Sequence, residues 1–366
     1  MSNFNAYDYE FMSRAIRLAR KGLMTTQPNP RVGCVIVKDN HIVGEGWHKK
    51  AGEGHAEVNA LLLAGKQAQG ATAYITLEPC CHTGKTPPCT SSLIDAGIMR
   101  VVAAMQDPHD KVAGQGFKLL QKAGIAVEVG LLNDQAQALN PGFIKRMQQG
   151  LPFVRIKMAM SVDGRTAMAS GESKWITSES ARNDVHRWRG QSSAMLTGIG
   201  TVLQDNPSLT ARTGMQLNEQ QPLCVVLDSE LQLSVEAKLV QSSGKVLVYT
   251  TSQDVKKINH LEQAGVKVVS IGNDKLGLDL VEVLKHLASL EVNEVMVESG
   301  ATLAGSFISA GLVDELIIYM APVLMGNQAR GLFNLPFIEN MSQKIQLNIK
   351  EMRQFGDDIR IIATLT

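Results

Sequence analysis

His55, Glu57, Cys80 and Cys89 are the residues whose types and spacing most plainly allow chemistry. His55-Ala56-Glu57 opens a helical pattern, Glu78-Pro79-Cys80 follows an apolar strand, and Pro87-Pro88-Cys89 opens the next helix. One imidazole and two thiolates make a ligand set for Zn²⁺. Three protein ligands leave the fourth tetrahedral position to water, which marks a catalytic rather than a closed structural site. Helix N-termini favour thiolate over thiol, because their exposed N–H groups stabilise negative charge. Cys81 and His82 are further candidates at the same place, although adjacent residues seldom both face one ion. The water needs a base, and Glu57 stands two residues from His55. On an ideal helix that spacing points to different faces, so His55 must occupy an irregular first turn. Alone, a His-x-Glu triplet is a solvated helix start; the cysteines give it weight.

The elements that must position these residues follow from periodicity. Phe11, Met12, Ala15, Ile16 and Ala19 recur at helical spacing between Tyr9 and Arg20. Val32 to Val37 and Ile42 to Gly46 flank the turn residues Asp39-Asn40 and read as a β-hairpin. A helix from His55 to about Ala64 closes at Gly65, Ala73 to Leu77 is a buried strand, Gly97 ends the helix opened by Pro87-Pro88, and Arg100 to Met105 is again a strand. A further helix (117–123) and strand (125–130) extend the sheet. Such alternation predicts an α/β domain. Asn140 to Pro152 carries two prolines and two glycines around a polar middle and reads as a boundary, giving domains 1–149 and 150–366. Beyond it, strands at 153–159, 194–197, 223–227, 245–249, 266–271, 294–298 and 315–321 alternate with helical or turn segments, a second α/β domain.

Composition narrows the function class. At 366 residues the chain exceeds the size at which single cores stop growing. No apolar run approaches the roughly 18 residues of a membrane span, so a soluble protein without a membrane partner is expected. The polar start, with Asp8 and Glu10, fits neither a signal nor a transit peptide, and a cytoplasmic location is expected. Five cysteines make an odd set for a reducing compartment, so metal binding explains the cluster of three better than disulfides do. Cys34 and Cys224, in apolar strands, read as small core residues. A net charge of +1 without a run of Lys or Arg argues against nucleic acid as a partner.

His-Ala-Glu with a downstream Pro-Cys resembles the zinc deaminases of bases and nucleotides, whose Glu is general acid and base without ligating zinc. Their second half is Pro-Cys-x-x-Cys. This chain departs from it, with eight residues between Cys80 and Cys89, and the longer form is similar to the bifunctional deaminase and reductase family of riboflavin biosynthesis. Pro28-Asn29-Pro30-Arg31-Val32-Gly33 resembles the same family, which implies that Asn29 contacts the pyrimidine. The resemblance selects Cys80 and Cys89, with His55, as zinc ligands and Glu57 as the catalytic residue. Lys85 stands open between a substrate contact and a solvated loop lysine.

The resemblance covers nearly the whole chain. Lys157 to Arg165, Ser170 to Trp175, Gly200-Thr201-Val202, Asp205-Asn206-Pro207, Leu209 and Arg212 are similar to the family's reductase part. It implies an α/β fold class in which a cytidine-deaminase-like three-layer domain precedes a dihydrofolate-reductase-like α/β domain. Gly198-Ile199-Gly200 lacks the third glycine of a Rossmann fingerprint, with Leu203 in its place. Val297 to Ala304, a strand ending in a small-residue turn before a helix, is the better nucleotide element, since its N–H groups can bind a pyrophosphate. Carried over position by position, Ala159, Trp175, Thr201, Asp205, Ser229, Gly300, Ala301 and Thr302 line an NADPH site. Ser173, Arg189, Leu209, Arg212 and Glu298 hold the substrate, at least one arginine on its phosphate. Arg182 and Arg187 read as solvated, and Lys157 and Asp163 stay open.

The implied activity is hydrolytic deamination of a phosphoribosylated diaminopyrimidine, followed by NADPH-dependent reduction of the ribosyl group to a ribityl chain. Zn²⁺ and NADPH are the cofactors, a phosphorylated pyrimidine is the small-molecule partner, and a homo-oligomer through the reductase domain is expected. Two rival readings are a nucleoside or nucleic-acid deaminase with an unrelated tail, and a zinc-stabilised binding module with a fourth protein ligand.

Overall fold

Helix α1 (Ala6–Ala19) starts where Asn5 caps it: the Asn5 side chain accepts the Asp8 N–H and the Asp8 carboxylate accepts that of Asn5. The computed structural model describes residues 4–81, 87–109, 112–212, 221–242, 244–274, 277–335 and 338–366. The chain divides into two compact units, Met1–Gly150 and Leu151–Thr366.

In the first unit β1 (Gly33–Lys38) pairs antiparallel with β2 (His41–Trp47) and β3 (Thr72–Ile75), and β4 (Arg100–Ala103) and β5 (Ala126–Val129) continue parallel to β3. Among the described residues the order is β2-β1-β3-β4-β5. Helices α2 (Ala56–Ala64), α3 (Cys89–Asp95), α4 (Gln115–Lys122), α5 (Asn133–Gln137) and α6 (Pro141–Gln149) complete the unit. A Cβ at Gly33 would lie 2.0 Å from the Ala15 carbonyl of α1, and one at Gly46 would lie 2.2 Å from the Ala56 carbonyl of α2. Gly46 pairs with Cys34, the neighbour of Gly33. Successive strand residues face opposite ways, so α1 and α2 cover opposite faces of the sheet and make the expected three layers. Met12, Cys34, Ile36, Ile75, Leu93 and Val101 are fully buried between them.

Most of the stretch 140–152 is helical, and the division between the two units falls near its end, after Gly150. Pro141 opens α6 in its first turn and Gly150 ends it at φ 67°, so one proline and one glycine are helix punctuation. The Asn140 side chain accepts the Arg31 N–H at 2.7 Å and donates to the Arg31 carbonyl at 2.9 Å, tying α6 to the first unit.

The second unit contains β6 (Phe153–Ser161), β7 (Arg165–Ala167), α7 (Glu179–Gln191), β8 (Ala194–Gly198), α8 (Ile199–Asp205), β9 (Leu223–Leu227), α9 (Lys238–Ser242), β10 (Val246–Thr250), α10 (Val255–Gln263), β11 (Val266–Ser270), β12 (Asn273–Asp274), β13 (Gly277–Leu278), α11 (Leu280–Ser289), β14 (Glu294–Val297), α12 (Ala301–Ser309), β15 (Glu315–Ala321), β16 (Arg330–Gly331), β17 (Leu347–Phe355) and β18 (Asp358–Leu365). Among the described residues nine strands form one sheet in the order β11-β10-β9-β8-β14-β6-β15-β18-β17, parallel as far as β15 and antiparallel beyond. Its inner strands are apolar throughout because both faces are covered. Leu196, Val225, Leu247 and Val297 pack with α11 and α12 on one face, while their neighbours Met195, Cys224, Val248 and Met296 pack with α7, α8, α9 and α10 on the other. Cys34 and Cys224 are thus core residues. Among the described residues no helix is long and apolar enough to cross a membrane.

Candidate functional site

His55 is the N-cap of α2, in extended backbone at φ −70° and ψ 168°, so it leaves the helical register and shares a site with Glu57 despite their spacing. Cys89 is the first residue of α3, behind Pro88. Cys80 follows β3, and its carbonyl accepts the Thr90 N–H at 3.2 Å. His55 Nδ1 lies 3.2 Å from Cys89 Sγ and 3.5 Å from Cys80 Sγ, and the three ligand atoms all lie within 4.8 Å of one another. A tetrahedral zinc ion separates nitrogen and sulfur ligands by about 3.6 Å, so the donor set fits that metal. Among the described residues no fourth His, Cys, Asp or Glu joins the group, and Cys81 stands outside it. His82 and Lys85 lie outside the described residues.

Glu57 is only 3% exposed. Burial, with the Cys80 charge beside it, pushes its carboxyl up to about 7. Hydrogen bonds from the Cys89 thiol and backbone N–H, together with His55, bring the Cys80 thiol down to about 4, whereas the bond to Cys80 and burial push the Cys89 thiol up. Asn29 donates from Nδ2 to His48 Nε2 at 3.1 Å. His48 is buried, with its ring edge-on to His55 at 5.2 Å, and is held through Nδ1 by the Gly54 carbonyl at 3.3 Å. Sequence reasoning missed His48, since a lone histidine after a strand carries no spacing signal. Glu78, two residues before Cys80, is buried. Its carboxylate accepts the N–H groups of Asp107, Gly114 and Gly116 at 3.1, 2.9 and 2.9 Å, and a Cβ at Gly116 would lie 2.2 Å from the Pro79 carbonyl.

The second unit holds a cleft of about 260 Å³. Of the expected residues, Ala159, Ser173, Arg189, Thr201, Asp205, Leu209, Glu298, Gly300 and Ala301 line it. Gly300 is the N-cap of α12, where backbone N–H groups are free to meet a phosphate. Arg189 grips Glu298 through Nε and Nη2 at 2.6 and 2.9 Å and donates from Nη1 to the Thr210 carbonyl at 3.1 Å. Lys157, left open by sequence, also lines the cleft, with Nζ 3.9 Å from Glu298. Burial alone would raise the Glu298 pKa, but the charges of Arg189 and Lys157 outweigh it and hold the carboxyl at about 2.

Trp175, Ser229, Thr302 and Arg212 do not line the cleft. Trp175 is 73% exposed, with the Arg182 guanidinium 4.5 Å from its ring centre, so Arg182 is not a free solvated side chain. The Ser229 carbonyl accepts the hydroxyls of Thr250 and Thr251 at 2.9 and 3.0 Å. Thr302 is exposed in the first turn of α12, and exposed Arg212 donates its backbone N–H to His186 Nδ1 at 3.3 Å. Asp163 holds a turn, accepting the Met325 and Gly326 N–H groups at 3.1 and 2.8 Å. Gln204 and Arg330 line the cleft without having been expected, because neither belongs to a short pattern.

This fold and these sites define a zinc-dependent deaminase joined to an NADPH-dependent reductase. Residues 6–105 match the cytidine and deoxycytidylate deaminase zinc-binding region, and residues 152–361 match the RibD C-terminal domain. The chain is 49% identical over 362 residues to the riboflavin biosynthesis protein RibD of Escherichia coli K12, covering 96% of this chain and 98% of that protein. Identity to the Haemophilus influenzae protein of the same name is 47% over 374 residues, covering 100% and 99%. RibD of Acinetobacter baumannii, form 1, matches with a TM-score of 0.92 at 45% identity, covering 98% of this chain and 99% of that one. The diaminohydroxyphosphoribosylaminopyrimidine deaminase/5-amino-6-(5-phosphoribosylamino)uracil reductase of Thermotoga maritima matches at 0.87 and 33%, with the same coverage. The chain belongs to the RibD family and is a bifunctional deaminase and reductase of riboflavin biosynthesis. The match of its second half to a reductase domain removes the reading of an unrelated tail.

Proposed function

We propose that residues 1–149 deaminate a phosphoribosylated diaminopyrimidine, and that residues 150–366 then reduce its ribosyl group to a ribityl chain; the Thermotoga maritima relative is named as a deaminase and a reductase of such phosphoribosylamino compounds. The convergence of His55, Cys80 and Cys89 beside buried Glu57 carries the first half of this reading. His55, Cys80 and Cys89 hold the zinc ion, which when bound supplies the acidity that makes a water nucleophilic near neutral pH. Glu57 takes a proton from the attacking water, whose oxygen bonds to the ring carbon, and delivers that proton to the exocyclic amine, which leaves as ammonia; burial of its carboxyl favours the protonated form that such a carrier needs. Asn29, steadied by His48, faces the pyrimidine.

In the second unit NADPH supplies the hydride when bound. Gly300 and Ala301 offer their turn to its phosphates, with Ala159, Thr201 and Asp205 along the coenzyme. Ser173, Arg189, Leu209 and Glu298 hold the substrate so that C1′ receives the hydride. The reading carries with it a cytoplasmic enzyme with no nucleic-acid or membrane partner, and a homo-oligomer through the second unit. Edge strand β17 supports the last point, with Ile349 and Met352 more than half exposed.

Purified protein given the diaminopyrimidine phosphate should release ammonia without NADPH and oxidise NADPH only once deamination has occurred. NADPH oxidation that precedes ammonia release would reverse the order, and no ammonia at all would remove the first assignment. A fragment beginning at Leu151 should bind NADPH by calorimetric titration in the absence of zinc; a folded fragment without affinity would move the domain assignment.

A further inference from the structure

Three cations and two carboxylates stand on the wall of the second unit's cleft: Lys157, Arg189 and Arg330 against Glu298 and Asp205. Two of the cations are already engaged, since Arg189 is bidentate on Glu298 and Lys157 stands 3.9 Å from the same carboxylate. Asp205 is approached by Lys174 from outside, also at 3.9 Å. Among the described residues Arg330 has no acidic partner.

Arg330 is exposed, and its backbone position and its neighbours place its fork at the cleft wall. Its backbone pairs with Ala167 across β16 and β7. A Cβ built on Gly171 would lie 3.2 Å from Arg330 Nη2 and 3.1 Å from Gln204 Nε2, which places both side-chain ends against this turn, and the backbone of Gly171, at φ +92°, favours glycine. Gln204 is fixed in turn by donating to the Gly171 carbonyl at 2.6 Å. An arginine so placed, without a carboxylate, on the wall of a cleft that receives phosphorylated ligands has the geometry for bidentate phosphate binding.

We propose that Arg330 binds a phosphate group in this cleft, carried by the pyrimidine substrate or by the coenzyme. The proposal rests on reading the cleft as the reductase site. Its test is steady-state reduction by full-length Arg330→Met and Arg330→Lys, with ammonia release and thermal unfolding as checks that each variant is folded. Losing a charge-assisted bond at a partly open site should raise one KM about 10-fold in Arg330→Met, and Arg330→Lys should recover part of it because the charge remains without the planar fork. A rise for NADPH but not NADH assigns the 2′-phosphate, an equal rise for both coenzymes the pyrophosphate, and a rise for the pyrimidine alone its ester phosphate. Unchanged KM values for every ligand in Arg330→Met overturn the proposal, as does a fall in kcat alone. Should Arg330→Met not fold, Arg330→Lys decides: a KM raised by about 3-fold or more supports phosphate binding, and wild-type values overturn it. A wild-type protein that oxidises no NADPH with the deaminated substrate defeats the reading of the cleft itself.

Discussion

Glu57 and Glu298 are both buried glutamates, yet one is pushed up to about 7 and the other held at about 2. Burial acts on both in the same direction. The difference lies in the neighbours: Glu57 faces the charge of Cys80, whereas Glu298 faces Arg189 and Lys157. Desolvation makes a carboxyl responsive, and the adjacent charges decide whether it becomes a proton carrier or a fixed anion. The first site is arranged to move a proton, the second to hold groups in place.

The largest expected effect tests the proton carrier. Glu57→Gln should lower deamination by about 10²- to 10⁴-fold while zinc content and NADPH-dependent reduction stay as in wild type. Metal analysis beside an ammonia assay checks this; zinc lost from the variant would make Glu57 a ligand and erase the contrast. Next is Arg189→Ala, which leaves Glu298 without its bidentate partner in a largely buried place. It should destabilise the second unit by about 3 kcal/mol and weaken reductase substrate binding by about 10- to 150-fold. Calorimetric unfolding and the two half-reactions check it, and an unmoved transition would mean that the pair contributes nothing to stability.

The same pair predicts a pH dependence. The folded pKa of Glu298 lies below its ordinary value of 4.5, so its contribution to stability is full above that value and is lost as pH falls toward about 2. The second unit should therefore lose part of its stability between about pH 4.5 and 2, and Arg189→Ala should flatten that slope. An identical acid slope in both proteins would place the titration elsewhere. The smallest effect belongs to Arg212→Ala: this residue is exposed and does not line the cleft, so stability should change by no more than about 0.5 kcal/mol and KM for the reductase substrate should stay as in wild type. A raised KM would bring Arg212 into the site.

Legibility follows chain distance. His55, Glu57, Cys80 and Cys89 lie in short segments where caps, prolines and strand ends place each side chain locally, so spacing and resemblance suffice to find them. Lys157 and Glu298 meet because β6 and β14 are neighbours in the sheet, with Val297 opposite Ile156, and nothing in either segment announces that pairing. Arg330 is further still from any pattern, reaching the cleft through a two-residue strand. The β17–β18 hairpin escapes the sequence reading although Leu347 to Lys350 and Asp358 to Ile361 alternate, because a register shift between Ile349 and Glu351 breaks the period in β17 after four residues. Helix α6 escapes for the opposite reason: its flanking proline and glycine look like a linker until they are seen to be its first turn and its stop.

The carboxylate of Glu78 fastens Asp107, Gly114 and Gly116 to the turn that presents Cys80 through their backbone N–H groups. That tie uses only protein atoms, so the conformational entropy of ordering this wall of the zinc site is lost during folding and not at metal uptake.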